Sequence, residues 1–308
     1  MSVSDKTAVP APVRISVITV LHNSEEALVH SMPPLAKELS RIASFLSCEA
    51  LFVDNASDND PTEALCKQLP QARVIRLSDN VGFAAGCNLG AQSAVGEYLF
   101  FVNPDVVLDE GAIEELINTL NTQTDAWATT GRMRNTDGSF QPTCRRLPTK
   151  SNIFGSRGSA LAKMFNRRDS NNTSNSVSSS DPTYTMPDFP DVTAVPAAAA
   201  TALMIRKETF DKLGGFDERF FMYLEDTDLS AEIHERGGKI YFCPQAGAVH
   251  YWGAGSRASS FNRLRWHHLS VWRYYRKRLP GLFSSVILPV ALLTNFLISA
   301  CVSIFRNR

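Results

Sequence analysis

The chain has 308 residues, enough for one large domain or two smaller ones, and its 44% apolar and 20% charged content is that of an ordinary globular enzyme. Its formal net charge of zero hides an asymmetry: the stretch from Arg263 onward holds 8 Lys and Arg and no acid, leaving 23 basic against 31 acidic groups before it. The six cysteines are scattered, which excludes a small disulfide framework, and "MSVSDKTAVPAPV" lacks the apolar core of a signal peptide, so a body with reduced thiols inside the cell is expected.

"RISVITVLHN" (14–23) is a near-continuous β-branched run and predicts a buried parallel strand. A helix is expected over roughly 25–46, then a second buried strand in "CEALFVDNAS" (48–57). "PTEALCKQL" (61–69) opens on Pro and an acid, as a helix does, and "ARVIRLS" (72–78) is a third strand. "GFAAGCNLGAQSA" starts a helix near Phe83, and "EYLFFVNPDVVL" (97–108) is a fourth strand broken by Asn-Pro-Asp. "DEGAIEELINTL" (109–120) is a helix with acids in its first turn, where the dipole favours them. Strand and helix thus alternate four times, which predicts the α/β class: a mostly parallel sheet flanked by helices, with right-handed crossovers. Ligands of such sheets sit beyond the carboxyl ends of the strands, where this chain carries His22, Asp54, Asn103 and Asp105.

After Trp127 the pattern changes. "RMRNTDGSFQPTCRRLPT" (132–149) reads as a hairpin and loop with a basic cluster, and "NNTSNSVSSSD" (171–181) lies in a segment, about 166–186, expected to be mobile. "AAAATALMIRK" (197–207) returns to strand, followed by two short helices each stopped by a Gly pair. "KIYFCPQAGAVHYWG" (239–253) is a strand with a turn and His250 near its far end. Residues 1–262 form one expected unit and 263–308 a second. In the second, "RLRWHHLSVWRYYRKR" interleaves six basic residues with aromatics, and the next 25 uncharged residues (281–305) would be about 37 Å long as a helix. The adjoining belt argues for a membrane surface rather than nucleic acid, with spanning, re-entrant and surface-lying helices all open.

Taken singly, the polar residues have plain structural readings beside the functional ones. Asp105 past a strand is a turn residue or a hard-cation ligand; His250 is a structural histidine or a second ligand; Asp54 is an Asx-turn acid or an acceptor for a nucleoside. Gly82, beside a helix start, suits the close approach of a phosphate. The absence of G-x-G-x-x-G after the first strand argues against a dinucleotide-binding dehydrogenase. In "FFMYLEDTDL" (220–229) three carboxylates abut an aromatic cluster, where partial desolvation would raise an Asp into a useful range for a base. Asp226 or Thr227 also suits a helix cap, with Asp228 in the first turn.

Together, "ISVITVLHN", "VDNASD", "NVGFAAGCNLG", "VNPD", "LGGFDERFFMYLEDTDL" and "VHYWGAGS" resemble family 2 glycosyltransferases, in particular their bacterial rhamnosyltransferase-type branch, over about residues 14–257. The resemblance implies a GT-A fold, a nucleoside-diphosphate sugar donor (dTDP-L-rhamnose by analogy), Mg2+ or Mn2+, inversion at the anomeric carbon and a lipid-linked saccharide acceptor. It assigns Asp54 to the base, His22, Gly82 and Asn103 to the donor, Asp105 and His250 to the metal, Asp226 to the catalytic base and Glu225 to acceptor orientation. With the C-terminal segment as a membrane-associated tail, it implies the cytoplasmic face of a bacterial inner membrane. Asn103 stands where D-x-D enzymes have a first Asp. Two alternatives stay open: a nucleotidyltransferase, which also needs a metal and a nucleotide site, and an inactive sugar-nucleotide-binding scaffold.

Overall fold

A computed structural model describes residues 14–150, 185–251 and 259–306. Its strands are β1 (Arg14–Leu21), β2 (Ser47–Asp54), β3 (Arg73–Arg76), β4 (Tyr98–Val102), β5 (Val106–Leu108), β6 (Ala126–Arg134), β7 (Phe140–Gln141), β8 (Cys144–Arg145), β9 (Thr193–Val195), β10 (Ala197–Ala198), β11 (Ala202–Arg206) and β12 (Lys239–His250). The large sheet runs β3-β2-β1-β4-β11-β6-β12-β5, with β7 and β9 paired at its side, while β8 and β10 form a separate pair. β1, β2, β3 and β4 are mutually parallel, β6 and β12 are parallel to each other, and β11 lies antiparallel between β4 and β6. The result is the expected mostly parallel α/β sheet, made mixed by β11, β5, β7 and β9.

Period-two alternation along the central strands feeds two cores. Tyr98, Phe100 and Val102 of β4 face a layer built by α1 (Glu25–Ile42), α2 (Thr62–Gln68) and α4 (Ala112–Thr122). Leu99 and Phe101 face the opposite layer, built by α3 (Phe83–Ser93), α5 (Lys207–Leu213) and α6 (Glu225–Glu235). A Cβ on Gly90 of α3 would stand 2.5 Å from Ile18 Cγ2, so only glycine lets this helix lie so low on β1.

Two local expectations are corrected. The hairpin expected after Arg132 is formed by the end of β6 and β7, but β6 begins at Ala126 and is a full central strand hidden by its polar composition: Thr129 and Thr130 are buried, and their hydroxyls donate to the Tyr241 and Ala202 carbonyls. A polar strand is stable inside when each hydroxyl has such an acceptor. The broken strand at 97–108 is two strands, because the chain turns at Asn103–Asp105 and β5 pairs antiparallel with the end of β12.

The C-terminal region forms α7 (Ser260–Arg278), a wide π-helical turn (Phe283–Ile287) and α8 (Leu288–Arg306). Ser259 caps α7 by accepting from Asn262 N at 3.2 Å. Among the described residues no helix is long and apolar enough to cross a membrane. Residues 166–184 of the segment expected to be mobile, and 252–256 of the last resemblance motif, lie outside the described residues.

Candidate active site

The carboxyl ends of β1, β2, β4, β6 and β12 share one edge, and antiparallel β11 brings its amino end there: Ala202 pairs with Val102, and Asn103 N donates to Thr201 O at 2.9 Å. Immediately before, Ala200 N donates to Asp226 Oδ2 at 3.2 Å. This backbone staple ties the start of α6 to the Asn103–Asp105 turn. At the far side of that turn His250 Nε2 lies 3.1 Å from Asp105 Oδ1, both residues being buried, and Tyr251 N donates to Asp105 O. Asp226, Asn103, Asp105 and His250 thus stand along one edge.

Asp226 opens α6 after an unusual approach. Tyr223 and Leu224 both adopt left-handed backbone, at φ 72° and 63°. Such consecutive non-glycine residues cost about 1–3 kcal/mol each and persist only where packing imposes them. Here Leu224 and Phe220 are buried against Val271, Tyr274, Tyr275 and Leu288, while Phe221 O accepts from Phe83 N at 2.8 Å. The Asp226 carboxylate then meets several donors: Thr227 N (2.6 Å) and Oγ1 (3.0 Å) at Oδ1, Ala200 N at Oδ2, and the Arg145 guanidinium 3.6 Å from Oδ2. Glu225 beside it is fully enclosed, and its Oε2 has no hydrogen-bond partner. Burial, and then the neighbouring Asp226 charge, push the Glu225 carboxyl up to about 8. The sequence led to the expectation of a raised Asp next to the aromatic cluster; the acid that burial raises here is Glu225, which favours its neutral form.

The aromatic residues themselves face α7 rather than standing as an open wall. Phe221 packs on Trp266 with ring centroids 4.7 Å apart, and Tyr223 meets His267 edge-on at 5.8 Å. Burial, with the His268 and Arg145 charges, lowers His267 to about 4, so its imidazole is neutral there. Asp228 is more than a first-turn acid: it is buried and receives Arg278 Nε at 2.7 Å and Lys277 Nζ at 2.6 Å.

The remaining predicted residues sit around the β1 and β2 ends. His22 is half-buried, with Nδ1 2.9 Å from Asn55 O. Asp54 is wholly buried; Oδ1 accepts from Ser57 N at 3.1 Å, and Oδ2 is 3.2 Å from Arg76 Nε in an ion pair lacking hydrogen-bond alignment. Gly82 precedes α3 at φ 90°, and what approaches it is the Phe221 carbonyl, 2.4 Å from where a Cβ would be. Two residues that the sequence reading did not single out belong here. Asn55 clamps the loop before α3 by donating to Gly82 O and accepting from Val81 N. Arg145, in the short β8–β10 pair, is the cation beside Asp226; its signal was the basic "CRR" cluster. Among the described residues no group of three or more His, Cys, Asp or Glu side chains could hold a metal by itself.

Residues 16–214 match the family described as Glycosyl transferase family 2. The N-acetylglucosaminyl-diphospho-decaprenol L-rhamnosyltransferase of Mycobacterium tuberculosis is 26% identical over 243 residues, covering 75% of each chain. The rhamnosyltransferase WbbL of Escherichia coli K12 is 25% identical over 185 residues, 59% of this chain and 63% of its own. In fold, the chain is similar to GalNAc-T7 crystallised with UDP, GalNAc and Mn2+ (TM-score 0.58, 16% identity, 92% of this chain and 55% of that one). It is also similar to residues 1–349 of S. aureus TarS with UDP (TM-score 0.54, 14% identity, 86% and 66%). A mostly parallel α/β sheet with carboxylates gathered at its edge, and a match from β1 to the end of α5, lead to one conclusion: the chain belongs to glycosyltransferase family 2 and is a rhamnosyltransferase-like glycosyltransferase.

Proposed function

We propose that the chain is an inverting transferase that moves L-rhamnose from dTDP-L-rhamnose to a lipid-linked saccharide at a membrane surface. The observation that carries this reading is the setting of Asp226, a carboxylate held rigidly at a helix start and stapled by Ala200 to the Asn103–Asp105 turn. Inversion is a single displacement and needs no protein nucleophile, only a base for the acceptor hydroxyl and relief of charge on the departing diphosphate. Oδ2, with one long hydrogen bond at 3.2 Å, is the oxygen that accepts the proton. A neutral Glu225 lies beside it without adding a second negative charge, and Arg145 steadies the anion.

Asp105 and His250 supply one carboxylate and one imidazole, a donor set that fits Mg2+ or Mn2+ when diphosphate oxygens and water complete the shell. Such a cation, when bound, neutralises charge on the diphosphate. His22 and Asp54, with Asn55 holding the intervening loops, form the nucleoside side of the site.

Membrane attachment is supported by one face of the C-terminal helices. Leu282, Val286, Val290, Leu293 and Leu297 follow one another at spacings of three or four and are all exposed, Leu282 by 72% and Val290 by 61%. Such an amphipathic surface lies in a lipid interface without crossing it. A lipid-linked acceptor is the substrate class in the name of the mycobacterial relative, and attachment would bring the site to such an acceptor at the cytoplasmic face.

The test is a reaction of the purified full chain with dTDP-L-rhamnose and a lipid-linked N-acetylglucosamine acceptor. The reading requires free dTDP and an acceptor heavier by one deoxyhexose. Conversion of dTDP-L-rhamnose and added pyrophosphate to dTTP and rhamnose 1-phosphate, with the acceptor unchanged, would indicate a nucleotidyltransferase instead, and nucleotide binding without turnover would indicate a scaffold.

A further inference from the structure

Gln141 lies on β7 opposite Met133 of β6 and is buried. Its side-chain Nε2 is 2.9 Å from His250 Nδ1, while its Oε1 is buried with no hydrogen-bond partner. In this arrangement the amide donates to Nδ1, so the neutral imidazole carries its proton on Nε2, directed at Asp105 Oδ1 3.1 Å away. Imidazole and carboxylate then satisfy each other, and Nε2 has no lone pair to offer a cation.

The two ends of a primary amide are nearly equal in size. A half-turn about the last side-chain torsion of Gln141 exchanges them, placing Oε1 where Nε2 was. Oε1 then accepts from a proton on Nδ1, and the Nε2 lone pair faces Asp105. Two acceptors facing each other repel unless a cation lies between them. The partnerless Oε1 is thus the acceptor that the metal-binding tautomer of His250 needs, held in place by β7.

We propose that Gln141 is a positioning residue that sets the tautomer of His250, its amide turning over when a divalent cation and a diphosphate occupy the Asp105–His250 pair. The inference rests on the metal reading under Proposed function. It adds a residue that touches neither substrate nor cation and yet decides whether the imidazole can ligate. Partners of this kind in metal sites typically govern about 10–100-fold in metal affinity.

Two measurements on the full chain test it. The first is 15N–1H correlation of labelled histidine. It should show the His250 proton on Nε2 without metal and on Nδ1 after addition of Mg2+ and dTDP. The second is Mn2+ binding in the presence of dTDP, followed by electron paramagnetic resonance. Gln141→Leu should weaken it about 10–100-fold, whereas Gln141→Glu, which keeps an acceptor for Nδ1–H, should bind at least as well as the wild type. If Gln141→Leu does not fold, Gln141→Asn, whose shorter amide falls short of His250, takes its place with the same expected loss. A folded Gln141→Leu (or Gln141→Asn) protein with wild-type Mn2+ affinity, or a His250 proton that stays on Nε2 in the loaded protein, would overturn the role of Gln141 and leave the metal site standing. Failure of the wild-type protein to bind Mn2+ with dTDP would overturn the metal reading itself.

Discussion

Arg278 donates through Nε to Asp228 Oδ1 at 2.7 Å, which fastens the last turn of α7 to the first turn of α6, two residues beyond the candidate base. Lys277 reaches the other Asp228 oxygen, and Arg278 also pairs with Glu232 and Glu235. The C-terminal helices are therefore tied to the helix that carries the candidate base, and two of the six basic residues of the belt, Lys277 and Arg278, are spent on internal ion pairs.

Asp228→Ala should destabilise the protein by about 3 kcal/mol, the scale for breaking a buried pair, rather than the ~0.5 kcal/mol of a first-turn dipole contact. Urea denaturation of Asp228→Ala, Arg278→Ala and the double variant checks this. The double variant should cost clearly less than the two singles added together. Additive losses of a few tenths would mean that the pair is solvated.

Glu225 gives stability a pH dependence of definite sign. A carboxyl raised from 4.5 to about 8 keeps its proton in the folded protein over a range where the unfolded chain has lost it. Stability from this group is therefore full below about 4.5 and declines as pH rises to about 8. His267 acts in the opposite direction lower down: lowered to about 4, it costs stability as pH falls from 6.5 towards 4. Glu225→Gln should raise the melting temperature at pH 8 relative to wild type, with the difference shrinking towards pH 5. Parallel melting curves across that range would show that Glu225 is ionised in the folded protein.

The apolar stripe on α8 and the preceding turn should mediate attachment. Deleting everything after Gly255 is a poor test, because it strips Val271, Tyr274 and Tyr275 from Phe220 and Leu224. Replacing Val286, Val290, Leu293 and Leu297 by Ser keeps the packed side of the helices intact. This variant should stay folded and no longer sediment with anionic vesicles, whereas the wild type should remain bound in about 1 M salt, where surface charge is screened. Wild-type release by salt, with the Ser variant still bound in low salt, would assign attachment to the basic residues.

Much of the fold was legible in the sequence because β1, β2 and β4 are mainly apolar runs ended by polar clusters. β6 was hidden because its interior threonines satisfy their hydroxyls on carbonyls of neighbouring strands, a long-range feature that no local pattern reports. The carboxylates of "FFMYLEDTDL" stood out through their aromatic company, but their division of labour did not. It depends on Arg145, Ala200, Lys277 and Arg278, which are distant in sequence and converge only through β8, β11 and α7. Asn55 and Gln141 were silent for the same reason, since each acts through a hydrogen bond to a residue far along the chain.

The most direct test of the central claim is the single-turnover rate of Asp226→Asn, measured at saturating donor. An amide keeps the shape and an acceptor for Thr227 but cannot take a proton, and its NH2 group would face the Ala200 N–H. A stability loss of about 1 kcal/mol is expected from that one lost hydrogen bond, with donor affinity unchanged. The account predicts transfer slowed by about 10²-fold or more. Transfer at the wild-type rate by a folded Asp226→Asn protein would show that this carboxylate is structural and that another group accepts the proton.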